Sequence, residues 1–238
     1  MKSSFDQSVE KAYGRAMNTD AVRDFMTKVY GWMVGGLLLT GGTAYFTAAS
    51  GLWQYFVGGP LMWLVIIAQF GLVLALSAGV MKMSSAVATA AFLGYSALTG
   101  LTFSALLIVF AEETIYQTFF ITAGMFAALS FWGYVTKKNL TGLGSFMIMG
   151  LVGIIITMVV NVFFRSSALQ FLINFIGVVV FAGLTAYDTQ RIKELYEVQY
   201  EGTEMTRKVA IIGALSLYLD FINLFLFLLR FAGGSNRD

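Results

Sequence analysis

Long apolar stretches, separated by short polar segments, dominate this chain. A helix needs about 20 apolar residues to cross about 30 Å of hydrocarbon. Seven stretches have that length, and they are apolar on all sides, which is typical of helices that contact lipid and one another. The stretches cover residues 29–50, 61–81, 86–110, 114–135, 144–164, 168–188 and 209–230. The pattern therefore predicts an all-α, polytopic membrane protein with seven transmembrane helices.

The positions of the polar segments predict one membrane domain between two terminal segments. Residues 1–27 are polar and mixed in charge, so they do not resemble a cleavable signal, and we expect the first span to direct insertion. The only long polar connection is 189–208. We predict an N-terminal segment at 1–27, one membrane domain at 28–232 and a C-terminal tail at 233–238.

Basic residues alternate between the two sides of the predicted spans. Cytoplasmic loops of membrane proteins carry an excess of lysine and arginine. Twelve of the 15 basic residues fall on the side of the N-terminus, and the other three are Arg165, Arg230 and Arg237. This asymmetry predicts a cytoplasmic N-terminus and an external C-terminus. The twelve are Lys2, Lys11, Arg15, Arg23, Lys28, Lys82, Lys137, Lys138, Arg191, Lys193, Arg207 and Lys208.

Composition supports the lipid environment and excludes several kinds of chemistry. Hydrophobic residues make up 58% of the chain and charged residues 12%, with a mean hydropathy of +0.77. Soluble domains contain about 45–50% apolar and about 25% charged residues. The chain has no cysteine and no histidine, which removes thiolate sites and the usual zinc ligand and general base. The net charge of +2 argues against nucleic acid as a partner.

Asp220 is the clearest ionisable residue within a span. It lies 12 residues after Lys208 and 10 before Arg230, which places it near the middle of the membrane. A charge there costs about 2.5–3.5 kcal/mol on insertion scales, so we expect Asp220 to face the bundle interior or water. Ser216 and Asn223 share its helical face and extend a polar stripe. The alternative is a structural hydrogen bond to a neighbouring helix.

Asp188 closes the sixth predicted span. Arg191 follows it by three residues, so a local ion pair at the membrane interface is an equally good explanation. Counting residues places Asp188 at the cytoplasmic edge and Asp220 about 16 Å deeper, from the rise of 1.5 Å per residue. A meeting of the two therefore requires tilted helices or a water-filled vestibule.

Together, Asp188 and Asp220 form a candidate sensing pair. Two carboxylates in one site of low dielectric share a proton instead of both ionising. A proton and a hard cation such as Ca²⁺, which prefers oxygen ligands, would then compete for the pair. Calcium ions, protons and the lipid bilayer are thus the expected partners, and Asp188 with Asp220 is the candidate metal site. We expect no organic cofactor.

Three stretches carry a resemblance to a known family. Residues 119–146 read FFITAGMFAALSFWGYVTKKNLTGLGSF, residues 183–196 read GLTAYDTQRIKELY and residues 213–231 read GALSLYLDFINLFLFLLRF. Together they resemble the bacterial branch of the Bax inhibitor-1 family, also called the transmembrane Bax inhibitor motif family. The resemblance extends from Asn18 to Gly233.

The resemblance implies a fold and a function. The fold has seven helices with the last one central, and the function is a pH-sensitive calcium leak in the bacterial inner membrane, whose sensor matches Asp188 and Asp220. It also implies links to suppression of cell death in eukaryotes and to a membrane-bound protease in bacteria. Members often carry an arginine in the second span that latches to the aspartate pair. Here Gly79 occupies that place in LSAGVMKMS, and Lys82 is the candidate substitute.

Two other functions compete with a leak. Intramembrane aspartyl proteases resemble a GxGD pattern at the second aspartate and use a proline-containing motif in a later helix. This chain has LYLD at Asp220, and its single proline is Pro60, so we expect no enzyme activity. A non-transporting regulator that binds a membrane protease or another membrane protein remains the alternative.

Overall fold

Helices account for nearly all of the described structure, and no strand occurs within it. A computed structural model describes the backbone of residues 4–56, 59–199 and 203–234, and the side chains of 19–56, 59–196 and 204–233. The helices are α1 (Ser4–Ala49), α2 (Trp53–Phe56), α3 (Pro60–Gly79), α4 (Ser85–Val109), α5 (Glu112–Val135), α6 (Thr141–Phe164), α7 (Ser167–Gln199) and α8 (Thr203–Gly234), with a 3-10 turn at Val80–Lys82 after α3.

Within the described residues, six helices are long and apolar enough to cross a membrane, namely α3 to α8. The first predicted span forms the second half of α1, where glycine and threonine interrupt the aliphatic residues. Large apolar side chains cover the outer surface: Leu38 is 72% and Phe163 is 81% exposed. Exposed apolar side chains of this size are stable in contact with lipid. The prediction of an all-α, polytopic membrane protein is therefore confirmed.

The last helix, α8, is the centre of the bundle. In its apolar stretch 67% of the residues are buried, compared with 17–39% in the other five candidate spans. It packs directly against α1, α4, α5 and α7, while α3 packs mainly on α4 and α6 mainly on α7. Leu217, Tyr218 and Leu224 of α8 are completely buried. The expectation of a central last helix is confirmed.

Two residues with positive φ end helices at one side of the bundle. Gly51 follows α1 with a φ of 74°, which a residue without Cβ adopts readily. Arg165 follows α6 with a φ of 49°, and its N–H donates to the carbonyl of Asn161 at 2.8 Å. The Asn161 side chain then accepts from the N–H of Ser166 at 2.9 Å. These bonds reverse the chain between α6 and α7 within two residues.

The predicted end of the sixth span at residue 188 is wrong, because α7 continues to Gln199. Arg191 and Lys193 favour helix as well as apolar residues do, and their long side chains can reach water from a helix that extends past the hydrocarbon. The predicted polar connection 189–208 is correspondingly shorter. α8 begins at Thr203, and residues 200–202 lie outside the described structure. The backbone of the predicted segment 1–27 is helical from Ser4 and continuous with α1.

Candidate functional site

Asp188 and Asp220 lie level with each other in the interface between α7 and α8. Phe181 stacks on Phe227 across this interface, with 5.7 Å between the ring centroids. Asp188 lies seven residues after Phe181, and Asp220 lies seven residues before Phe227. Because the helices are antiparallel, both aspartates lie on the same side of that contact and at the same distance from it. Seven residues are two turns, so both carboxylates return to the facing sides. The charge of Asp188 acts directly on Asp220.

The expected difference of 16 Å in depth between the two aspartates is wrong. That estimate placed Asp188 at the cytoplasmic edge of the membrane, whereas the candidate span continues to Tyr196 and α7 to Gln199. Asp188 therefore lies inside the bundle. A second contact supports the same alignment, because a Cβ on Gly213 of α8 would lie 3.0 Å from Cγ2 of Ile192 on α7.

The two aspartates differ in their surroundings. Asp220 is only 4% exposed, and its Oδ2 has no hydrogen-bond partner among the described residues. Asp188 is half-buried. The charge of Arg191 acts on Asp188, but Arg191 is exposed and, within the described residues, forms no ion pair with it. The pair therefore combines one accessible carboxyl group with one enclosed carboxyl group.

The other residues predicted to assist the pair have separate surroundings. Ser216 and Asn223 are half-buried, and the Asn223 side chain donates to the carbonyl of Leu219 at 2.8 Å, within α8 itself. Lys82 is exposed at the end of the 3-10 turn, and within the described residues it forms no ion pair with either aspartate. The structure thus places Asp188 next to Asp220 and the charge of Arg191 near Asp188. It does not bring Lys82 to the pair.

Thr189 and Gln190, which directly follow Asp188 and were not predicted to belong to the site, fix the position of α7. The Thr189 hydroxyl donates to the carbonyl of Thr185 at 2.8 Å and approaches the Ser130 hydroxyl of α5 at 3.4 Å. Gln190 accepts from the N–H of Leu140 at 2.8 Å and donates to the carbonyl of Lys138 at 2.9 Å. Gln190 therefore ties the chain between α5 and α6 to the helix that carries Asp188.

Two glycines let neighbouring helices approach the same part of α7. A Cβ on Gly133 of α5 would clash with the main chain of Ala186, and one on Gly144 of α6 would clash with the ring of Tyr187. Close approach of this kind is the usual role of small residues between membrane helices. The signal in the sequence was indirect: stretch 119–146, which carries both glycines, and stretch 183–196 were both distinctive, and in the fold they contact each other.

A second polar cluster surrounds Tyr218 of α8. Its hydroxyl lies 2.7 Å from the hydroxyl of Thr40 on α1, which also donates to the carbonyl of Ser96 on α4 at 2.9 Å. Gln69 of α3 approaches the Thr99 hydroxyl of the same cluster at 3.5 Å. These bonds join the helices on the side of α8 away from α7, so the cluster is separate from the aspartate pair.

The pair can offer a cation only a partial set of ligands. Within the described residues, no group of three or more acidic, histidine or cysteine side chains is placed to hold a metal ion. Two carboxylates supply at most four oxygens, whereas Ca²⁺ takes 6–8. Water would have to complete the shell. The two carboxylates therefore do not form a complete calcium site by themselves.

Comparisons with known proteins agree with this architecture. The family described as "Inhibitor of apoptosis-promoting Bax1" matches residues 22–237. The inner membrane protein YbhL of Escherichia coli K12 is 47% identical over 215 residues, which cover 89% of this chain and 92% of YbhL. A protein of Borreliella burgdorferi is 48% identical, covering 90% and 93% of the two chains. YrjE of Lactococcus lactis is 37% identical, covering 92% and 95%. With its central last helix and its extensive match to these relatives, this chain belongs to the Bax inhibitor-1 family.

Proposed function

We propose that this protein is a cation leak of the bacterial inner membrane, with calcium as the favoured ion, controlled by protons at Asp188 and Asp220. The observation that carries the proposal is that Asp220, which is 4% exposed and level with Asp188, has an Oδ2 without a hydrogen-bond partner among the residues that the structure describes. An enclosed polar atom without a partner costs free energy, and a proton or a cation on the carboxylate removes that cost. We propose transport, not catalysis, as the role of the pair.

Asp188 and Asp220 provide two successive binding positions for an ion. Half-buried Asp188 lies nearer the end of the bundle where α7 meets α8, and Arg191 on that side acts on its charge. Asp220 is enclosed by the helices around α8. Conduction requires binding that is strong enough for entry and weak enough for release. An incomplete set of protein oxygens meets this requirement.

Reconstitution into liposomes tests the proposal. The full chain is placed in phosphatidylcholine and phosphatidylglycerol vesicles loaded with a calcium dye, and the initial rate of calcium entry is measured from acidic to neutral pH. We expect a rate that exceeds that of empty vesicles and varies with pH. Asp220→Asn should remove the pH dependence, whereas Asp24→Asn, at an exposed position on α1, should keep it. Calcium entry equal to that of empty vesicles at every pH would overturn the proposal and favour the non-transporting regulator.

A further inference from the structure

An open groove of about 870 Å³ lies between α1 and α5, with Phe221 of α8 contributing to its lining. It opens towards the surroundings of the bundle, because lining residues such as Leu38 and Phe131 are 72% and 69% exposed. Ser130, which receives the contact from Thr189 beside Asp188, also lines it. The groove is thus accessible from lipid and reaches residues adjacent to the aspartate pair.

The groove follows the bundle through most of the membrane. Along α1 its lining residues begin at Arg23 and end at Gly42, and along α5 they begin at Phe119 and end at Tyr134. Nineteen residues of helix correspond to about 28 Å at 1.5 Å per residue. This length is close to the roughly 30 Å of the hydrocarbon core.

Polar lining residues are confined to one end of the groove. The charge asymmetry of the sequence assigns this end to the cytoplasm. Lys193 adds a second cation nearby, because its Nζ lies 5.0 Å from the centre of the Tyr134 ring. The remaining lining is apolar or glycine. The polar residues are Arg23, Thr27, Tyr30, Ser130 and Tyr134.

The lining of the groove favours an amphiphile. Apolar residues cover most of its length, and its arginine and its other polar residues lie together at one end. Its shape and its single cationic end match an amphiphile with an anionic headgroup and a flexible apolar tail.

We propose that this groove binds an anionic phospholipid of the cytoplasmic leaflet. The phosphate lies against Arg23 and the hydroxyls at the polar end, and an acyl chain follows the groove towards Gly41. Arg23 supplies the charge that distinguishes an anionic headgroup from a zwitterionic one. The apolar remainder supplies affinity for the tail through burial of its surface.

Native mass spectrometry of the detergent-solubilised full chain tests the proposal. Phosphatidylglycerol and phosphatidylcholine are titrated separately, and the fraction of protein with one bound lipid is measured. We expect wild type to bind phosphatidylglycerol more tightly than phosphatidylcholine. Arg23→Gln should weaken phosphatidylglycerol binding about fivefold, the effect of one basic residue near an anionic lipid surface, and weaken phosphatidylcholine binding less, because the choline cation offsets the charge of its phosphate. Lys28→Gln, at an exposed lysine on the same helix that does not line the groove, is the control.

A second pair of variants tests the apolar part of the groove. Gly41 lines it and Gly35 of the same helix does not, and a Cβ at either position would meet nothing within 4 Å. Both positions therefore accept a larger residue. Gly41→Phe should lower the binding of both lipids, whereas Gly35→Phe should not. The proposal is overturned if wild type does not discriminate between the lipids or if Gly41→Phe behaves as Gly35→Phe. A groove that serves a helix of another protein would give that second result.

Discussion

Asp188 of α7 and Asp220 of α8 lie level with each other, two helical turns from the point where Phe181 stacks on Phe227. The stack fixes the alignment of the two helices, and the alignment brings together two carboxyl groups that are 32 positions apart in the chain. Because each carboxyl group acts on the charge of the other, the protonation of one depends on the protonation of its neighbour. The first prediction follows from this dependence.

Asp188→Asn and Asp220→Asn should each remove most of the pH dependence of calcium entry, and the double variant should add little. Residues that act as one unit show coupling energies of about 0.5–3 kcal/mol, so the combined effect should fall short of the sum by an amount in that range. Initial rates of dye-reported calcium entry for the four proteins, compared across pH, measure it. Additive effects of the two substitutions would contradict a shared site.

Tyr218→Phe should lower the stability of the protein and leave the pH dependence of calcium entry unchanged. It removes the hydroxyl that lies 2.7 Å from Thr40, and loss of such a bond lowers the free energy of unfolding by about 0.5–1.5 kcal/mol. Since this cluster is on the other side of α8, the pH dependence of calcium entry should be unchanged. Thermal unfolding in detergent and the vesicle assay measure the two effects. A changed pH profile would connect the Tyr218 cluster to the aspartates.

Gly79→Arg should lower the basal rate of calcium entry. Gly79 ends α3, and a Cβ there would meet only the flexible end of Met83, at 3.2 Å, so a longer side chain can be accommodated. An arginine would supply the positive charge of the family's latch, which glycine does not. Gly79→Met is the uncharged control in the same vesicle assay.

Lys82→Gln tests whether Lys82 already substitutes for the arginine that is missing at Gly79. If Lys82 already performs the task of the missing arginine, this variant should raise the basal rate, and Gly79→Arg should add little to wild type. From the exposed position of Lys82 we expect no change in rate with Lys82→Gln. Indifference of the rate to both substitutions would place the gate away from the end of α3.

Gly133→Ala should destabilise the fold, because the new Cβ would press on the main chain of Ala186. Overpacking of this kind costs about 1–3 kcal/mol. Gly124→Ala is a matched control on the same helix, since a Cβ there meets nothing within 4 Å. Unfolding temperatures in detergent should fall for Gly133→Ala and stay near wild type for Gly124→Ala. Equal temperatures would mean that α5 and α7 can separate without cost.

A reporter fused after Asp238 should behave as external, and one inserted between Lys137 and Lys138 should behave as cytoplasmic. The prediction rests on the twelve basic residues on the side of the N-terminus against three on the other. Paired reporters that are active on opposite sides of the membrane measure it. A cytoplasmic C-terminus would mean an even number of crossings, so that one of the seven predicted spans does not cross the membrane.

The limits of a helix were predicted well from the sequence where the helix consists of one long apolar run. The span at 144–164 corresponds to α6 at Thr141–Phe164 because a helix in lipid satisfies its own backbone without partners. The end of α7 was predicted wrongly, since Arg191 and Lys193 mark an approach to water and not an end of helix. The alignment of Asp188 with Asp220 depends on packing between α7 and α8. Nothing in the local sequence encodes that contact.

The surroundings of the pair were harder to predict for a similar reason. Asp220 was identifiable because a carboxylate in an apolar run is costly wherever it points. Gln190 was not, because a glutamine near a helix end is ordinary, and its role appears only when the chain at Lys138 and Leu140 folds back onto it. The groove between α1 and α5 likewise arises from the spacing of two helices that are far apart in sequence.

α8 continues as one helix from Thr203 through Asp220 to Gly234. In an unbroken α-helix each interior carbonyl accepts from the N–H four residues later, so no main-chain oxygen in the middle of the membrane is left for an ion. Transporters with interrupted helices use freed carbonyls and helix ends to hold their ions. An ion that pauses here would depend on side-chain oxygens and water alone. Its dwell time would therefore be set by protons arriving at those same oxygens, without any rearrangement of the backbone.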